Sequence, residues 1–329
     1  MAHDTAPVST LGGFIAGGIA ACGAVTFTNP IELVKTRMQL QGELAANPAV
    51  KMYRNPIQAF AVIYRNEGIR GLQQGLVCGY LNQICLNGCR IGLYEPCRYQ
   101  LTKALYPERI VDGKVPQAVS INILSGFLAG SAGAVSASPF FLVKTRMQSY
   151  SSAAATGKIH TSTGQQTYYK NTADGLRKIY SSEGLKGLFR GVDAAIFRTG
   201  AGSAAQLPLY YFTKQQFEKH TSIDPAAPAT HFLSSLVAGV GVAIVMNPGD
   251  VVLTRVYNQK GNLYRGPIDC LVKTVTTEGV AALYKGFWAQ LLRIGPHTIL
   301  TLMFMEQTMR AMARVEGEGR RWAGIYLRE

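Results

Sequence analysis

The sequence predicts an all-α membrane protein in which six transmembrane helices form a pseudo-threefold bundle of three repeats. Two observations carry this prediction: a low content of charged residues, and a set of signatures that recurs three times. Of the 329 residues, 47% are hydrophobic and only 16% are charged, whereas about a quarter of an ordinary soluble domain is charged. The formal net charge of +14 would suit a membrane or a nucleic acid, and the low charged fraction favours the membrane over the nucleic acid.

Two signatures define the repeats. The first reads NPIELVKTRMQ, SPFFLVKTRMQ and NPGDVVLTRVYNQ, and its prolines recur every 109 residues, at Pro30, Pro139 and Pro248. The second follows each of these and reads EGIRGLQQG, EGLKGLFRG and EGVAALYKG. Signatures that recur three times in one order indicate three copies of one structural unit. We place the repeats at residues 8–104, 117–219 and 229–315.

Each repeat contains two apolar stretches of about 20 residues, which is long enough to cross a bilayer as a helix. The six stretches begin near Leu11, Leu76, Ala118, Val192, His231 and Phe287. The first stretch of each pair meets its proline near its end, where the missing backbone donor predicts a kink. Neighbouring helices can satisfy the carbonyl that the proline leaves free.

The basic residues indicate how the helices are oriented. Most of them lie in the loops within the repeats, and few lie in the links between repeats. The positive-inside tendency therefore places the loops within the repeats on the inner side of the membrane. Both termini are then predicted to face the opposite side.

Three arginines lie inside the predicted spans: Arg90, Arg198 and Arg293. A charge at the bilayer centre costs at least about 2.5–3.5 kcal/mol, so such residues face a polar cavity and usually mark a site. Arg198 and Arg293 each lie seven residues after the last glycine of the second signature, and Asn82 holds that position in the first repeat. These three side chains are therefore predicted to lie at one depth. The alternative is a structural ion pair between helices.

The chemistry of these residues points to a small dianion. A guanidinium group is a planar fork that can bind a carboxylate or sulfate through two hydrogen bonds, so two forks at one level can hold both ends of the ligand. Asn82 and Thr199 are candidate donors to a further substrate oxygen. Arg90 lies eight residues beyond Asn82, about two helical turns away, and is a further candidate. We expect no acidic residue at the level of the two forks.

His297 lies one helical turn after Arg293. The charge of a histidine can change near neutral pH, so a role in proton coupling is one interpretation. A polar packing residue is the other.

Other classes of function lack their signatures. None of the six cysteines forms a CxxC pair, so the sequence predicts neither a zinc site nor a disulfide framework. There is no nucleophile–base pair and no GxxxxGK[ST] loop that could hold phosphates. We expect no enzymatic activity, no metal and no cofactor.

Repeats of about 100 residues with PxxxxKxR-type and EGxxxxxxG signatures resemble the mitochondrial carrier family, from about Thr10 to Ala313. The resemblance implies a monomer of six tilted helices around a central cavity, with short matrix helices in each repeat. It implies alternating access across the mitochondrial inner membrane, termini in the intermembrane space, and cardiolipin at the matrix-side helix ends. SPFFLVKTRMQ and VVLTRVYNQKGNLYRGPIDCLVKTV resemble a fungal branch that is associated with oxaloacetate, sulfate and malonate.

The resemblance also implies two gates made of ion pairs between neighbouring repeats. On the matrix side the implied pairs are Glu32 with Lys144 and Asp250 with Lys35. On the cytosolic side they are Glu95 with Lys214 and Glu306 with Arg98.

Each gate departs from the family pattern at the junction between repeats two and three. Phe141 and Leu253 stand where the matrix-side acid and base would be. Tyr211 and Met309 stand at the corresponding cytosolic-side positions. Since both partners of each pair are replaced, no charge is left alone, and we expect this junction to close through apolar contact.

Two alternatives remain open at this stage. One is a carrier of a different dicarboxylate or inorganic anion, such as phosphate, because arginines do not choose among these ligands. The other is a membrane scaffold that keeps the fold and does not transport.

Overall fold

The computed structural model describes residues 10–44, 52–107, 119–156, 164–199, 213, 215–216 and 228–326. These residues form helices and contain no β-strand, which confirms the predicted all-α class. The helices are α1 Thr10–Leu40, α2 Pro56–Leu72, α3 Leu76–Leu105, α4 Val119–Ser149, α5 Ser152–Ala155, α6 Thr172–Leu188, α7 192–199, α8 Pro228–Asn258, α9 Pro267–Glu278 and α10 Phe287–Tyr326, with a 3-10 helix at Val280–Tyr284.

The long helices form a ring. α3 packs against both α1 and α4, and α8 packs against α4 and α10. α10 packs in turn against α1, so the first and last helices close the ring. The three proline-bearing helices, α1, α4 and α8, also contact one another, as the threefold repetition of the sequence predicts.

The prolines lie inside these helices. α1, α4 and α8 each have 31 residues, a length of about 46 Å that exceeds the hydrocarbon core of about 30 Å. The carbonyl that Pro30 leaves free belongs to Thr26, and it accepts a hydrogen bond of 3.0 Å from Nε2 of Gln73. A side chain from the next helix therefore satisfies the backbone at this proline. We call the end of the bundle beyond the prolines the proline end, and the opposite end the linker end.

Two helices of the described region are long and apolar enough to cross a membrane by composition. They are Ser120–Ser149 and Val237–Asn258, with mean hydropathies of 1.5 and 1.6. Both carry the proline of their repeat.

The second signature encodes a break in each short helix. Its first glycine has a positive φ in all three repeats, at Gly68 (68°), Gly184 (67°) and Gly279 (85°). Its last glycine does so too, at Gly75 (72°), Gly191 (80°) and Gly286 (77°). Glycine adopts this left-handed backbone without the penalty that a side chain brings, so the signature ends one helical segment and starts the next long helix.

A buried ion pair joins the two signatures within every repeat. The distances are 2.6 Å for Arg37–Glu67, 2.6 Å for Arg146–Glu183 and 2.5 Å for Arg255–Glu278. The first two arginines also reach the next repeat, because their Nε atoms donate to the carbonyls of Gln148 and Tyr257, each at 3.0 Å. The arginines therefore fix each short helix, and the first two also join neighbouring repeats.

The junction between repeats three and one is built differently. Nε of Arg255 is buried and has no hydrogen-bond partner among the described residues. Lys285 makes the connection instead, donating to the carbonyl of Gln41 at 2.8 Å and to Glu278 at 2.6 Å. Next to this pair, Glu43 accepts a hydrogen bond of 2.8 Å from the hydroxyl of Tyr264.

Candidate functional site

Asp250 is the centre of a charged group at the proline end. Its Oδ2 accepts a hydrogen bond of 2.8 Å from Nζ of Lys35 on α1, and its Oδ1 contacts Nε of Arg198 on α7. The Asp250 side chain is 3% exposed and that of Arg198 is 26% exposed. The predicted pairing of Lys35 with Asp250 is present, and a predicted substrate-binding arginine shares the same carboxylate.

The contact between Arg198 and Asp250 corrects the expectation that no acid lies at the level of the two forks. The physical reason is the close approach of α7 to α8. A Cβ atom added to Gly249 would lie only 3.7 Å from Cα of Arg198, so the next residue of α8 brings its carboxylate to the arginine side chain.

A second ion pair lies between α1 and α4. Nζ of Lys144 is 2.7 Å from Oε2 of Glu32, and both side chains are mostly buried. This is the second pair that the sequence predicts for this end. The three long helices are thus joined by charge across two of their three junctions.

The third junction, between repeats two and three, is apolar as predicted. The rings of Phe141 and Tyr257 are in tilted contact, with centroids 5.4 Å apart. Leu253 belongs to the same buried cluster. The Tyr257 hydroxyl is 3.0 Å from the hydroxyl of Ser138.

Arg293 and His297 lie on α10 near these pairs. Nε of Arg293 donates to Oε1 of Gln290 at 3.4 Å, and the side chain is within electrostatic range of Glu32 and Lys35. No ion pair of the described region includes Arg293. Nδ1 of His297 is 3.2 Å from Oγ1 of Thr28 on α1.

Asn82 and Thr199, which the sequence also predicts to bind substrate, lie in different surroundings. Asn82 is buried at 8% exposure. The hydroxyl of Thr199 donates to the carbonyl of Ala195 at 2.8 Å. Its methyl group faces Gly130 on α4, where an added Cβ would lie 3.2 Å away. This placement commits the Thr199 donor to its own helix and does not support the predicted contact with substrate.

Arg90 does not join the charged group in this structure. Its side chain is exposed, and none of the ion pairs described above includes it. The two turns that separate it from Asn82 along α3 place it farther toward the linker end.

One of the two ion pairs predicted for the linker end, Glu306 with Arg98, is not formed among the described residues. Arg98 pairs with Glu95 at 2.9 Å, three residues away on its own helix. Glu306 pairs with Arg310, four residues away on α10. Each of the two residues thus pairs within its own helix and not with the other. Lys214 and Tyr211 lie outside the described residues.

Taken together, the charged cluster at the proline end has two more basic residues than acidic ones. We define this cluster as Glu32, Lys35, Lys144, Arg198, Asp250 and Arg293. Its four cations face two carboxylates, which leaves an excess of two positive charges. A charge excess held in a low-dielectric interior attracts an anion strongly, and a dianion would neutralise it.

A separate cavity of about 540 Å³ lies beside α7, α8 and the start of α9. Arg190 and Arg265 contribute positive charge to its lining, and Asp193 contributes a negative one. Gly266 caps α9 without any side-chain hydrogen bond. The positive end of the helix dipole at such a helix start favours an anionic group.

Comparison with known proteins gives the context for this arrangement. The family model "Mitochondrial carrier protein" matches residues 6–105, 116–221 and 224–316. A mitochondrial oxaloacetate transport protein of Saccharomyces cerevisiae is 56% identical over 309 residues, covering 94% of this chain and 92% of the relative. A protein of the same name from Schizosaccharomyces pombe is 47% identical over 320 residues, with 96% of both chains covered. Mitochondrial citrate transporter E of Aspergillus niger is 51% identical, covering 94% of this chain and 96% of the relative.

Proposed function

The chain belongs to the mitochondrial carrier family, and we propose that it moves small dicarboxylate anions, oxaloacetate foremost, across the mitochondrial inner membrane. Sulfate and malonate are further proposed substrates. The observation that carries this proposal is the excess of two positive charges in the charged cluster, which matches the charge of a small dianion. The names of the two fungal oxaloacetate transport proteins support oxaloacetate within that class.

Arg198 and Arg293 are the proposed substrate contacts. Arg293 forms no ion pair in the described region, so its guanidinium fork is available for one carboxylate. Arg198, which contacts Asp250 and exposes part of its side chain, is the proposed contact for the other. The buried amide of Asn82, at the matched position of α3, is the proposed donor to the keto oxygen.

Alternating access is the proposed mechanism. The Glu32–Lys144 and Lys35–Asp250 pairs close the proline end, which we assign to the matrix side. Glu95, Arg98, Lys214 and Glu306 would pair between helices when that end opens and the linker end closes. This orientation places both termini in the intermembrane space, and the chain acts as a monomer.

His297 is proposed as a site of proton coupling. It lies one turn from Arg293, and its contact with Thr28 joins α10 to α1 across the interior. A proton bound there would add a positive charge beside the anion. Substitution by Gln should then abolish the dependence of uptake on a pH gradient, and unchanged dependence would leave His297 a packing residue.

A tricarboxylate carrier is the alternative, because one relative of high identity is named a citrate transporter. Citrate carries an additional carboxylate, and the described cluster offers only two arginine forks. A scaffold without transport is the other alternative, and the mutually satisfied gate charges speak against it. Substrate specificity must therefore be measured directly.

The deciding experiment is uptake by purified protein in liposomes. Labelled malonate should enter, and unlabelled oxaloacetate and sulfate should compete more strongly than citrate or phosphate. Strong competition by citrate alone would indicate that the chain is a tricarboxylate carrier. Absence of any uptake by folded protein would favour the scaffold.

We further propose that cardiolipin binds at the 540 Å³ cavity, through Arg190, Arg265 and the start of α9. A phosphate group would accept hydrogen bonds from the guanidinium groups of Arg190 and Arg265, and the positive end of the α9 dipole would favour its charge. Added cardiolipin should raise the melting temperature of the wild-type protein in detergent more than that of Arg265→Gln. Equal stabilisation of both proteins would exclude this contact, and phosphatidylcholine serves as the control lipid.

A further inference from the structure

The junction between repeats two and three lacks the gate ion pair that the other two junctions have. A charged contact still joins these two repeats, and one of its residues belongs to the proposed substrate site. Phe141 and Leu253 replace the two partners that would have met there. On the same side of the bundle, Arg198 of repeat two contacts Asp250 of repeat three. The proline end is therefore closed by three cation–carboxylate contacts, and one of them comes from the substrate site.

Both oxygens of Asp250 are engaged, one by each cation. Oδ2 binds Lys35 at 2.8 Å and Oδ1 binds Nε of Arg198. None of the described hydrogen bonds uses the two terminal nitrogens of Arg198. The edge of the guanidinium fork that includes Nε, which could hold a substrate carboxylate, is thus occupied by Asp250.

We infer that Asp250 is an internal carboxylate which occupies Arg198 and which a substrate carboxylate must displace. This inference rests on the proposed function, since it assumes that Arg198 binds substrate. Displacement transfers the guanidinium from Asp250 to the ligand and leaves Asp250 with Lys35 alone. Substrate binding therefore removes one of the three contacts that close the proline end, which couples occupancy of the site to its opening.

The arrangement also selects the ligand by its charge. A neutral or weakly basic ligand cannot compete with Asp250 for a guanidinium group, because a charge-assisted hydrogen bond is stronger than a neutral one. A dianion can displace Asp250 with one carboxylate and engage Arg293 with the other. The proline end then opens only when a dianion is bound.

The chain offers a matched control for this inference. Asp250→Asn and Glu32→Gln each remove one carboxylate of the charged cluster and one gate pair, and each raises the net charge equally. Only Asp250→Asn releases Arg198, because Glu32 contacts Lys144 instead. The difference between the two variants therefore isolates the contact with Arg198.

The experiment is calorimetric titration of malonate into purified full-length protein in detergent. Asp250→Asn should lower the Kd for malonate about tenfold, as expected for removal of one charged hydrogen-bonded competitor. Glu32→Gln should lower it clearly less. An unchanged or weaker affinity in Asp250→Asn, or an equal gain in Glu32→Gln, would overturn the inference.

Two arrangements keep the test decisive. If Asp250→Asn does not remain folded, the double variant Asp250→Asn/Lys35→Gln removes the unpaired lysine as well and is compared with Lys35→Gln, with the same gain in affinity expected. Failure of the proposed function has a different signature, because the wild-type protein would then neither bind malonate nor take it up. Normal wild-type binding without the gain in Asp250→Asn removes only the role of Asp250.

Discussion

The ring of Phe141 packs against the ring of Tyr257 with centroids 5.4 Å apart, where the other two junctions of the bundle hold ion pairs. The third junction of the proline end thus closes by aromatic contact. Because replacing both partners of a buried ion pair by apolar groups is often neutral, the contact of Phe141 with Tyr257 can take the place of the missing gate pair, beside the contact of Arg198 with Asp250.

This alternative can be tested by rebuilding the missing pair. Phe141→Asp alone, or Leu253→Lys alone, would bury a charge without its partner, which costs about 3–5 kcal/mol. The double variant restores both partners and should transport faster than either single variant. Initial rates of uptake in liposomes measure the effect. A double variant that is slower than both single variants would show that these positions do not face each other.

The substrate site predicts the effect of removing its arginines. Arg198→Ala and Arg293→Ala should each abolish oxaloacetate uptake, and the corresponding Lys variants should be impaired because a point charge does not reproduce the planar fork. Arg314→Ala, an exposed position on α10, is the control. Melting temperatures in detergent establish that each variant is folded. Uptake near the wild-type rate in both Ala variants would refute the assignment.

The Glu32–Lys144 pair predicts a partial rescue by charge exchange. Glu32→Lys and Lys144→Glu each place two like charges in contact, so either change alone should nearly stop transport. The exchanged double variant recreates an ion pair of opposite direction and should recover part of the rate. Uptake assays of the three variants measure the rescue, and a double variant no better than the singles would argue against a gate role.

The buried Arg37–Glu67 pair predicts a loss of stability. Glu67→Gln leaves the fully buried guanidinium of Arg37 without its counter-ion, and we expect a loss of about 3–5 kcal/mol. Lys178→Gln removes an exposed pair with Asp174 on α6, where the loss should be much smaller, because solvent screens exposed ion pairs. Thermal unfolding in detergent compares the two variants. Similar small losses would mean that Arg37 finds other partners.

Two carboxyl groups at the junction of repeats three and one predict opposite effects of pH. Burial raises the pKa of Glu43. The pKa of Glu278 is lowered, because its hydrogen bonds to Arg255 and Lys285 outweigh its burial.

The sign follows from proton linkage. Glu43 holds its proton more tightly in the folded state, so its contribution to stability falls as pH rises from the ordinary carboxyl pKa through the raised one. Glu278 contributes stability above its ordinary pKa, and this contribution is lost as pH falls through the lowered one. Glu43→Gln should therefore raise the melting temperature relative to wild type at pH 8 more than at pH 4. Glu278→Gln should lower it mainly at pH 8, and identical profiles would contradict both assignments.

Much of the fold can be predicted from the sequence, because the residues that determine it recur in all three repeats. The prolines and the two glycines of the second signature recur at fixed spacing, and each has a backbone reason in the structure. The repeat boundaries at residues 8–104, 117–219 and 229–315 remain predictions. Other positions needed three-dimensional information, since the contact of Arg198 with Asp250 depends on how closely α7 approaches α8 at Gly249.

One missed feature was present in the sequence. Each first signature contains an arginine and each second signature a glutamate, and these residues pair in all three repeats. Matching opposite charges between two recurring signatures would have predicted Arg37–Glu67 and its two equivalents. The pairing at the linker end, by contrast, depends on which end of the bundle is closed. The sequence alone does not say which end is closed in a given structure.

The contact of α1 with α10 has a consequence for the chain as a whole. The hydroxyl of Thr308 on α10 donates to the carbonyl of Ala16 on α1 at 3.0 Å, so the first and the last helix of the bundle are neighbours. In a ring closed in this way, the packing of the helices does not determine which helix comes first in the chain. A circular permutant that joins the old termini and begins between repeats one and two would keep every helix beside its present neighbours, so the order of synthesis is separable from the architecture.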